Sequence, residues 1–395
     1  MKAMFFTCMP MFVCLFWSVL LAVELITGRR RSVLAQRSPK ARPRMHLLAF
    51  MLTAVVLYFG HCVFFNHDTD ILPLSDTLYC MANLSVYPLY YFFICSLTMR
   101  EKEREAEQWL RYLLLLPAVI VGIMVGTLYV LMPQEEASRF IDQYLYQGHH
   151  TGLGRLMAYQ VFAHDLCKVV FAFLIIPVFF YGRRHMQRYE ELVSCTYADI
   201  EQKSLASLHY MFIAFVVTSV LSFTANIIGR HQFDESSWTL AIPSTTFSAL
   251  LFAIGYTGYH QQFSIHDIEL DEQQADAAVP VMSSVKELRM RIERLMEKEE
   301  LFRQPNFKIV DLVQKLGTNR NYIYQAVNRE MGISFNEYVN RMRIDYAAQL
   351  ISEHPTMPLN EVSEQSGFSS STSFYRNFKL FKGVGPKEYQ SQAKE

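Results

Sequence analysis

The chain has 395 residues, of which 51% are hydrophobic and 14% aromatic, and its 37 Lys and Arg residues balance 37 Asp and Glu residues. This composition excludes a disordered chain, a collagen-like repeat and a small disulfide-rich scaffold. Charged residues are scarce over most of the first 262 positions and dense afterwards, so the zero net charge is the sum of two unlike halves.

The first half contains seven apolar stretches that are long enough to cross a bilayer. A hydrocarbon core about 30 Å thick requires roughly 20 apolar residues at about 1.5 Å per residue of helix. The stretches cover residues 4–26, 46–65, 78–97, 112–132, 157–181, 208–228 and 238–259. The first stretch lacks an A-x-A-like cleavage site and is followed by three arginines, so we interpret it as a span and not as a signal peptide. The sequence therefore predicts a seven-helix transmembrane bundle over residues 1–259.

The distribution of positive charge predicts the orientation of this bundle, because Lys and Arg resist translocation and stay on the cytoplasmic side. The first, third and fifth connecting loops hold fifteen Lys and Arg residues, and the opposite side holds four. This bias predicts a multi-pass membrane protein whose N-terminus lies outside the cell. After seven crossings, the C-terminal part of the chain is expected in the cytoplasm.

The seven cysteines all precede residue 200, and none has the C-x-x-C or Cys/His spacing that is typical of a metal site. We therefore predict no metal and no cofactor. Cys62 and Cys80 both fall near the predicted outer surface, where either a disulfide or plain apolar packing fits the sequence.

Residues 260–284 form an acidic connector that holds five Asp and Glu residues and no Lys or Arg. This composition predicts a solvated juxtamembrane linker. A helical pattern then begins, in which Val285, Leu288, Ile292 and Leu295 follow a/d spacing. Two heptads fit either a stalk that forms a homodimer or the first helix of the next domain.

Residues 309–331 have the pattern of a helix, a tight turn and a second helix. Gly317 and Asn319 supply the turn and a side chain that can cap the second helix. Ile323 and Val327 share the predicted buried face of that helix. Its outward face carries amide and guanidinium groups that can bond to the edges of DNA bases, on Arg320, Asn321, Tyr324, Gln325 and Asn328.

A second unit repeats this arrangement some fifty residues later, with a helix over 359–366, a turn at Gly367 and a helix over 370–381. Phe374, Phe378 and Phe381 form the predicted core stripe. The outward face carries Ser371, Thr372, Tyr375, Arg376 and Lys379. Between the two units, residues 334–353 form one helix that can bury side chains against both.

The residues of the two units together resemble the AraC/XylS-type DNA-binding domain. The resemblance is carried by Leu316-Gly317-Thr318-Asn319-Arg320, Gly332-Ile333-Ser334-Phe335, Tyr338, Arg341, Arg343, Ala347, Gly367-Phe368-Ser369, Phe374, Arg376, Phe378-Lys379, Gly383, Pro386 and Tyr389. It implies a bacterial transcription regulator whose residues 285–395 bind double-stranded promoter DNA through two helix-turn-helix units. It also implies base contacts by Asn321, Tyr324, Gln325, Ser371 and Thr372, and a phosphate contact by Arg376.

The fifth predicted span holds the clearest group of ionisable residues at bilayer depth, where such residues are functional candidates by default. His164, Asp165 and Lys168 have i, i+3 and i, i+4 spacings in the outer half of the span. They are predicted to line an outward-open cavity that binds a small polar ligand or senses protons. A purely structural ion pair fits the sequence equally well.

The sequence thus predicts an all-α, membrane-bound transcription regulator of the bacterial inner membrane, with double-stranded DNA and the lipid bilayer as partners. No H-E-x-x-H, G-x-S-x-G or phosphate-cradling glycine loop is present, so an enzyme is not predicted. The alternative is a transporter or receptor whose cytoplasmic tail binds DNA secondarily or after proteolytic release.

Overall fold

Helices make up the regular structure of the part of the chain that the computed structural model describes, which is residues 2–32, 41–149, 154–228, 239–275 and 285–394. An isolated antiparallel bridge joins Tyr197 and Lys308. The chain divides into two compact units. The first comprises Met1–Met186 and Leu205–Gln262, and the second comprises Gln187–Ser204 and Phe263–Glu395.

The first unit contains the apolar helices. They are α1 (Lys2–Ser32), α2 (Ala41–Phe65), α3 (Leu72–Thr98), α4 (Glu101–Ala106), α5 (Gln108–Leu131), α6 (Gln134–Phe140) with the π-helical segment Ile141–Tyr146, α7 (Arg155–Ser194), α8 (Ala206–Ile228) and α9 (Ala241–His260). The last turns of α7, residues 187–194, belong to the second unit. Within the described ranges, six of these helices are long and apolar enough to cross a membrane, namely α1, α2, α3, α5, α7 and α8. These six coincide with the first six predicted spans.

The seventh predicted span, residues 238–259, corresponds to α9 and differs from the other six. Among the described residues, α9 does not reach the apolar character of the other spans, because Ser, Thr, Gly and Tyr residues interrupt its Leu, Ile and Phe residues. Its 20 residues are nevertheless about 30 Å long at about 1.5 Å per residue. The seventh crossing therefore stays a prediction.

Helix α3 forms the centre of the first unit. In its most apolar window 78% of the residues are buried, against 22% to 39% in the other five helices. Cys80 lies in this central helix and is buried, whereas the thiol of Cys62 lies 2.6 Å from the thiol of Cys8 in α1. The thiol next to Cys62 is therefore that of Cys8. Cys62 and Cys80 are free thiols, so the alternative of a disulfide between them is wrong.

The second unit contains the shorter and more polar helices. They are α10 (Ile265–Ala275), α11 (Val285–Glu299), the 3-10 turn Leu301–Arg303, α12 (Ile309–Leu316), α13 (Arg320–Tyr324) with the π-helical segment Gln325–Glu330, α14 (Phe335–Glu353), α15 (Leu359–Gln365), α16 (Ser371–Lys382) and α17 (Pro386–Gln392). The predicted helices over 309–331, 334–353, 359–366 and 370–381 agree with these bounds to within one or two residues.

Two hydrophobic cores form within this unit, and α14 contributes to both. Phe335 and Val339 belong to the first core with side chains of α11, α12 and α13. Ile344, Ala347 and Ile351 belong to the second core with side chains of α15 and α16. The predicted role of this helix, burying side chains against both helix-turn-helix units, matches the packing.

The structure contradicts the prediction of a solvated linker for part of the acidic connector. It also decides between the two interpretations of the helix that follows. Part of the connector predicted as a solvated linker is helix α10, in which Ile265 and Ile268 are buried. Leu288, Ile292 and Met296 of α11 are fully buried in the first core. The a/d pattern of this region therefore reflects the first helix of the domain, which is the second of the two interpretations.

Candidate nucleic-acid interface

The first helix-turn-helix is built by local sequence signals that satisfy the ends of its helices. Helix α12 ends at Gly317, which adopts the left-handed conformation at φ 57° that favours glycine. Asn319 precedes α13, and its side-chain oxygen accepts a hydrogen bond of 2.8 Å from the backbone N–H of Asn321. Ile323 and Val327 are fully buried. These contacts fix which face of α13 points outward.

The second helix-turn-helix uses the same devices. Gly367 has φ 85°, and a Cβ atom there would overlap the backbone of Arg303. The Ser370 hydroxyl accepts a hydrogen bond of 3.1 Å from the backbone N–H of Ser373 and so caps α16. Phe374 and Phe378 are fully buried, and Phe381 is half-buried against the same core.

The predicted DNA contacts of the two units differ in exposure. Asn321 is exposed, and Arg320, Tyr324, Gln325 and Asn328 are half-buried. In the second helix-turn-helix the predicted contacts are all exposed, namely Ser371, Thr372, Tyr375, Arg376 and Lys379. The second helix-turn-helix thus exposes its outward face to solvent more fully than the first.

Residues 195–204, the loop that connects α7 and α8, account for much of this difference because they pack against the first helix-turn-helix. The backbone N–H of Ala198 donates to the Phe307 carbonyl at 2.9 Å, and the Ile309 N–H donates to the Thr196 carbonyl at 2.9 Å. The side chain of Ala198 belongs to the first core. The loop is therefore an integral part of the domain.

Two of the predicted DNA contacts of the first helix-turn-helix form hydrogen bonds with this loop or with α10. A guanidinium nitrogen of Arg320 donates to the Thr196 hydroxyl at 2.6 Å, and a second one forms an ion pair with Glu272 of α10. The amide nitrogen of Asn328 lies 2.8 Å from the Cys195 sulfur. These side chains use donors for intramolecular bonds that a DNA contact would require.

The same loop makes a similar but looser contact with the second helix-turn-helix. Glu201 of the loop accepts a hydrogen bond from the Ser370 hydroxyl, and its carboxylate lies 3.7 Å from the guanidinium of Arg376. The Arg376 side chain is 56% exposed. Because this pair is solvated, it contributes little free energy and leaves Arg376 accessible.

Arg343 anchors the loop inside the domain. Its side chain is fully buried, donates to the carbonyl oxygens of Phe302 at 2.6 Å and Gln304 at 2.8 Å, and pairs with Asp199 of the loop at 2.9 Å. Burial lowers the pKa of the Arg343 guanidinium, and the Asp199 carboxylate opposes this shift. The partner of Arg343 lies 144 positions away along the chain, because α14 turns this side chain into the interior of the domain.

The predicted sensing residues of α7 have different environments. His164 is buried and lies 2.7 Å from a carboxylate oxygen of Asp76 in α3. Asp165 and Lys168 form an ion pair of 2.9 Å that is about half exposed, and the Tyr144 hydroxyl donates to Asp165 at 3.3 Å. His164 therefore belongs to the interior of the first unit and does not share the face of this ion pair. Sequence patterns could not identify Asp76 as its partner, because 88 positions separate the two residues.

Comparison with known proteins agrees with this architecture. Residues 312–392 match the family model described as a helix-turn-helix domain. The chain is 28% identical over 87 residues to the Msm operon regulatory protein of Streptococcus mutans, covering 22% of this chain and 31% of that protein. It is 34% identical over 87 residues to the probable transcriptional regulator LumQ of Photobacterium leiognathi, covering 22% and 35%. It is 30% identical over 91 residues to the transcriptional regulatory protein HptR of Staphylococcus aureus, covering 23% and 35%.

The two capped helix pairs and these matches define the C-terminal part of the chain as a helix-turn-helix domain, which is similar to the matched parts of the named transcriptional regulators. More narrowly, the domain is of the AraC type, as its residues predicted. The chain spans only about a third of the length of these curated relatives. No solved structure matches it.

Proposed function

We propose that this protein is a membrane-bound regulator that binds promoter DNA sequence-specifically and receives its signal through the apolar unit. The observation that carries the proposal is the repetition of a capped recognition helix, α13 and α16, on either end of one connecting helix. Helix α14 has 19 residues and is about 28 Å long. Two successive major grooves on one face of DNA are separated by roughly 34 Å, a similar distance.

Sequence-specific contacts are assigned to the outward side chains of the two recognition helices. Asn321 and Gln325 carry amides that can bond adenine in the major groove, and Ser371 and Thr372 can contact either base of a pair. Arg320, Tyr324, Asn328, Tyr375, Arg376 and Lys379 complete the DNA-binding surface. The domain has a surplus of about three positive charges from residue 285 onward, so the exposed cations must be clustered to serve DNA phosphates.

The test is selection of duplexes from a random library with the full chain in lipid nanodiscs. The expected result is one enriched motif with two half-sites. Changing Asn321→Ala or Gln325→Ala should reduce discrimination at one base pair by about 1–3 kcal/mol. Gln349→Ala, which removes an exposed amide from α14, is the matched control and should leave the motif unchanged. Enrichment of no motif would refute sequence-specific binding.

We place the domain in the cytoplasm on the basis of the Lys and Arg bias of the connecting loops. The six apolar helices support a bilayer as partner, and α9 is proposed as the seventh crossing that puts both ends on opposite sides. Reporter fusions after residue 262 and at residue 395 test this orientation. A C-terminal reporter that is active only outside the cytoplasm would contradict it.

The input is proposed to reach the DNA-binding surface through loop 195–204, which connects the helices of the fifth and sixth predicted spans. In the structure this loop and α10 hold Arg320 and Asn328 in intramolecular bonds. The proposed active state releases these bonds. The proposed stimulus acts in the outer half of the first unit, near His164, Asp165 and Lys168, on a small extracytoplasmic ligand or on protons.

The competing function is a transporter or receptor whose tail binds DNA secondarily or after proteolytic release. Immunoblotting under inducing conditions tests the release, because the tethered regulator should stay uncut. A soluble fragment of domain size that activates transcription would favour the alternative.

A further inference from the structure

Three side chains of α3 and α7 converge in the interior of the first unit. Asp76 and Cys80 lie one helical turn apart on α3, and His164 lies on α7. All three are buried, with exposures between 1% and 5%. Their potential ligand atoms all lie within 4.8 Å of one another.

The orientation of His164 is suited to bind a cation through its Nε2 atom. Its Nδ1 lies 2.8 Å from the backbone carbonyl of Gln160, a contact that requires a hydrogen on Nδ1. In the neutral ring Nε2 then carries a lone pair, and it lies 2.7 Å from an oxygen of Asp76. Two electron-rich atoms this close require a positive charge, which either a proton or a metal ion can supply. Metal-binding histidines commonly donate their other ring N–H to a backbone carbonyl in this way.

The surroundings supply the outer contacts of a metal site. The Tyr129 hydroxyl of α5 donates to the same Asp76 oxygen at 2.9 Å. The rings of Phe140 and Tyr144 pack against the imidazole, with centroid distances of 5.5 and 5.9 Å. Tyr129 thus orients the carboxylate, and the two aromatic rings limit the access of water to the cluster.

We propose that Asp76, Cys80 and His164 supply three ligands of a tetrahedral site for one divalent transition-metal ion of the Zn²⁺ class. A mixed set of one carboxylate, one imidazole and one thiolate suits such an ion, whereas Mg²⁺ and Ca²⁺ take oxygen ligands. The Asp76 carboxylate and a Cys80 thiolate balance the two positive charges, which suits a site at bilayer depth. Binding releases the thiol proton and any proton held between His164 and Asp76.

Metal stripping and reconstitution of the purified full chain in detergent test this site, with Co²⁺ as the spectroscopic probe. The expected result is one Co²⁺ per chain with the visible absorption of a tetrahedral complex and a thiolate charge-transfer band, both lost on addition of Zn²⁺. Cys80→Ser should remove the charge-transfer band and His164→Gln should abolish binding. Cys95→Ser, which changes another buried cysteine of the same helix, is the matched control and should bind normally.

A substitution outside the ligand set keeps the test decisive if the ligand variants fail to fold. Tyr129→Phe retains the ring and removes only the hydroxyl that orients Asp76, so it should weaken Co²⁺ binding by about 10-fold or more without loss of the tetrahedral spectrum. The proposal is overturned if the folded wild-type chain shows no thiolate band, or if Cys80→Ser binds Co²⁺ with the wild-type spectrum. The metal site goes beyond the proposed function and is tested separately from it. Failure to bind metal would leave DNA binding intact, and failure to bind DNA would leave the metal spectrum intact.

Discussion

Neutralising Glu272 should increase the affinity of the full chain for DNA. In the structure the guanidinium of Arg320 pairs with Glu272, and the two side chains are only 13% and 15% exposed. A hydrogen bond to a charged group contributes about 1.5–3 kcal/mol, and a neutral one contributes about 1 kcal/mol. Glu272→Gln therefore lowers the cost of freeing Arg320 by about 0.5–2 kcal/mol, which corresponds to about 2- to 30-fold tighter DNA binding.

The assay is fluorescence anisotropy with the selected duplex and the full chain in nanodiscs at one fixed salt concentration, because salt changes DNA affinity strongly. Glu388→Gln removes the same charge from an exposed position of α17 and controls for the change in net charge. A double-mutant cycle with Arg320→Ala isolates the pair, since the gain should disappear when Arg320 is absent. An equal gain in Glu388→Gln, or a gain that persists without Arg320, would refute the release of this side chain as a condition for binding.

Three further predictions concern the second unit. Asp199→Asn leaves a buried guanidinium without its counter-charge and should lower the free energy of unfolding by about 3 kcal/mol, measured by hydrogen-exchange mass spectrometry. The control is Asp345→Asn, at an ion pair whose carboxylate is 62% exposed, and it should lower that free energy by under about 0.5 kcal/mol. Gly367→Ala should destabilise the unit by about 3 kcal/mol in the same measurement, against about 1 kcal/mol for Gly332→Ala. Both glycines have positive φ, but only a Cβ atom on residue 367 would overlap another backbone segment. Arg376→Ala should reduce the salt dependence of DNA binding by about one phosphate contact without changing the preferred sequence, and a changed motif would contradict its role on phosphate.

The helix-turn-helix units were predictable because their signals are local. Asn319 and Ser370 cap the helices that follow them, and Gly317 and Gly367 adopt the positive φ that their turns require. The periodic spacing of Ile323 with Val327, and of Phe374 with Phe378, identifies the buried faces. Since these features depend on neighbours within one or two turns, the sequence alone contains enough information to find them.

The role of loop 195–204 was not predictable, because its partners lie far along the chain. Arg343 gave one signal, since it falls on the buried face of α14 between Val339 and Ala347 and therefore requires a counter-charge. No local pattern identifies Asp199 as that partner. The interpretation of residues 260–284 as solvated failed at α10 for the same reason, because acidic residues count as exposed in a sequence unless their basic partners are known.

The composition and periodicity of the chain determined that an apolar helical half precedes a domain with two helix-turn-helix units, since hydrophobic length and local caps are properties of consecutive residues. Only the tertiary structure decided which polar groups meet. It joined His164 to Asp76 and Cys80, and Arg320 to Glu272, because side chains from distant segments come within bonding distance only when the helices that carry them pack together. Burial makes these contacts energetically important, because a charge that is removed from water is costly unless it has a partner.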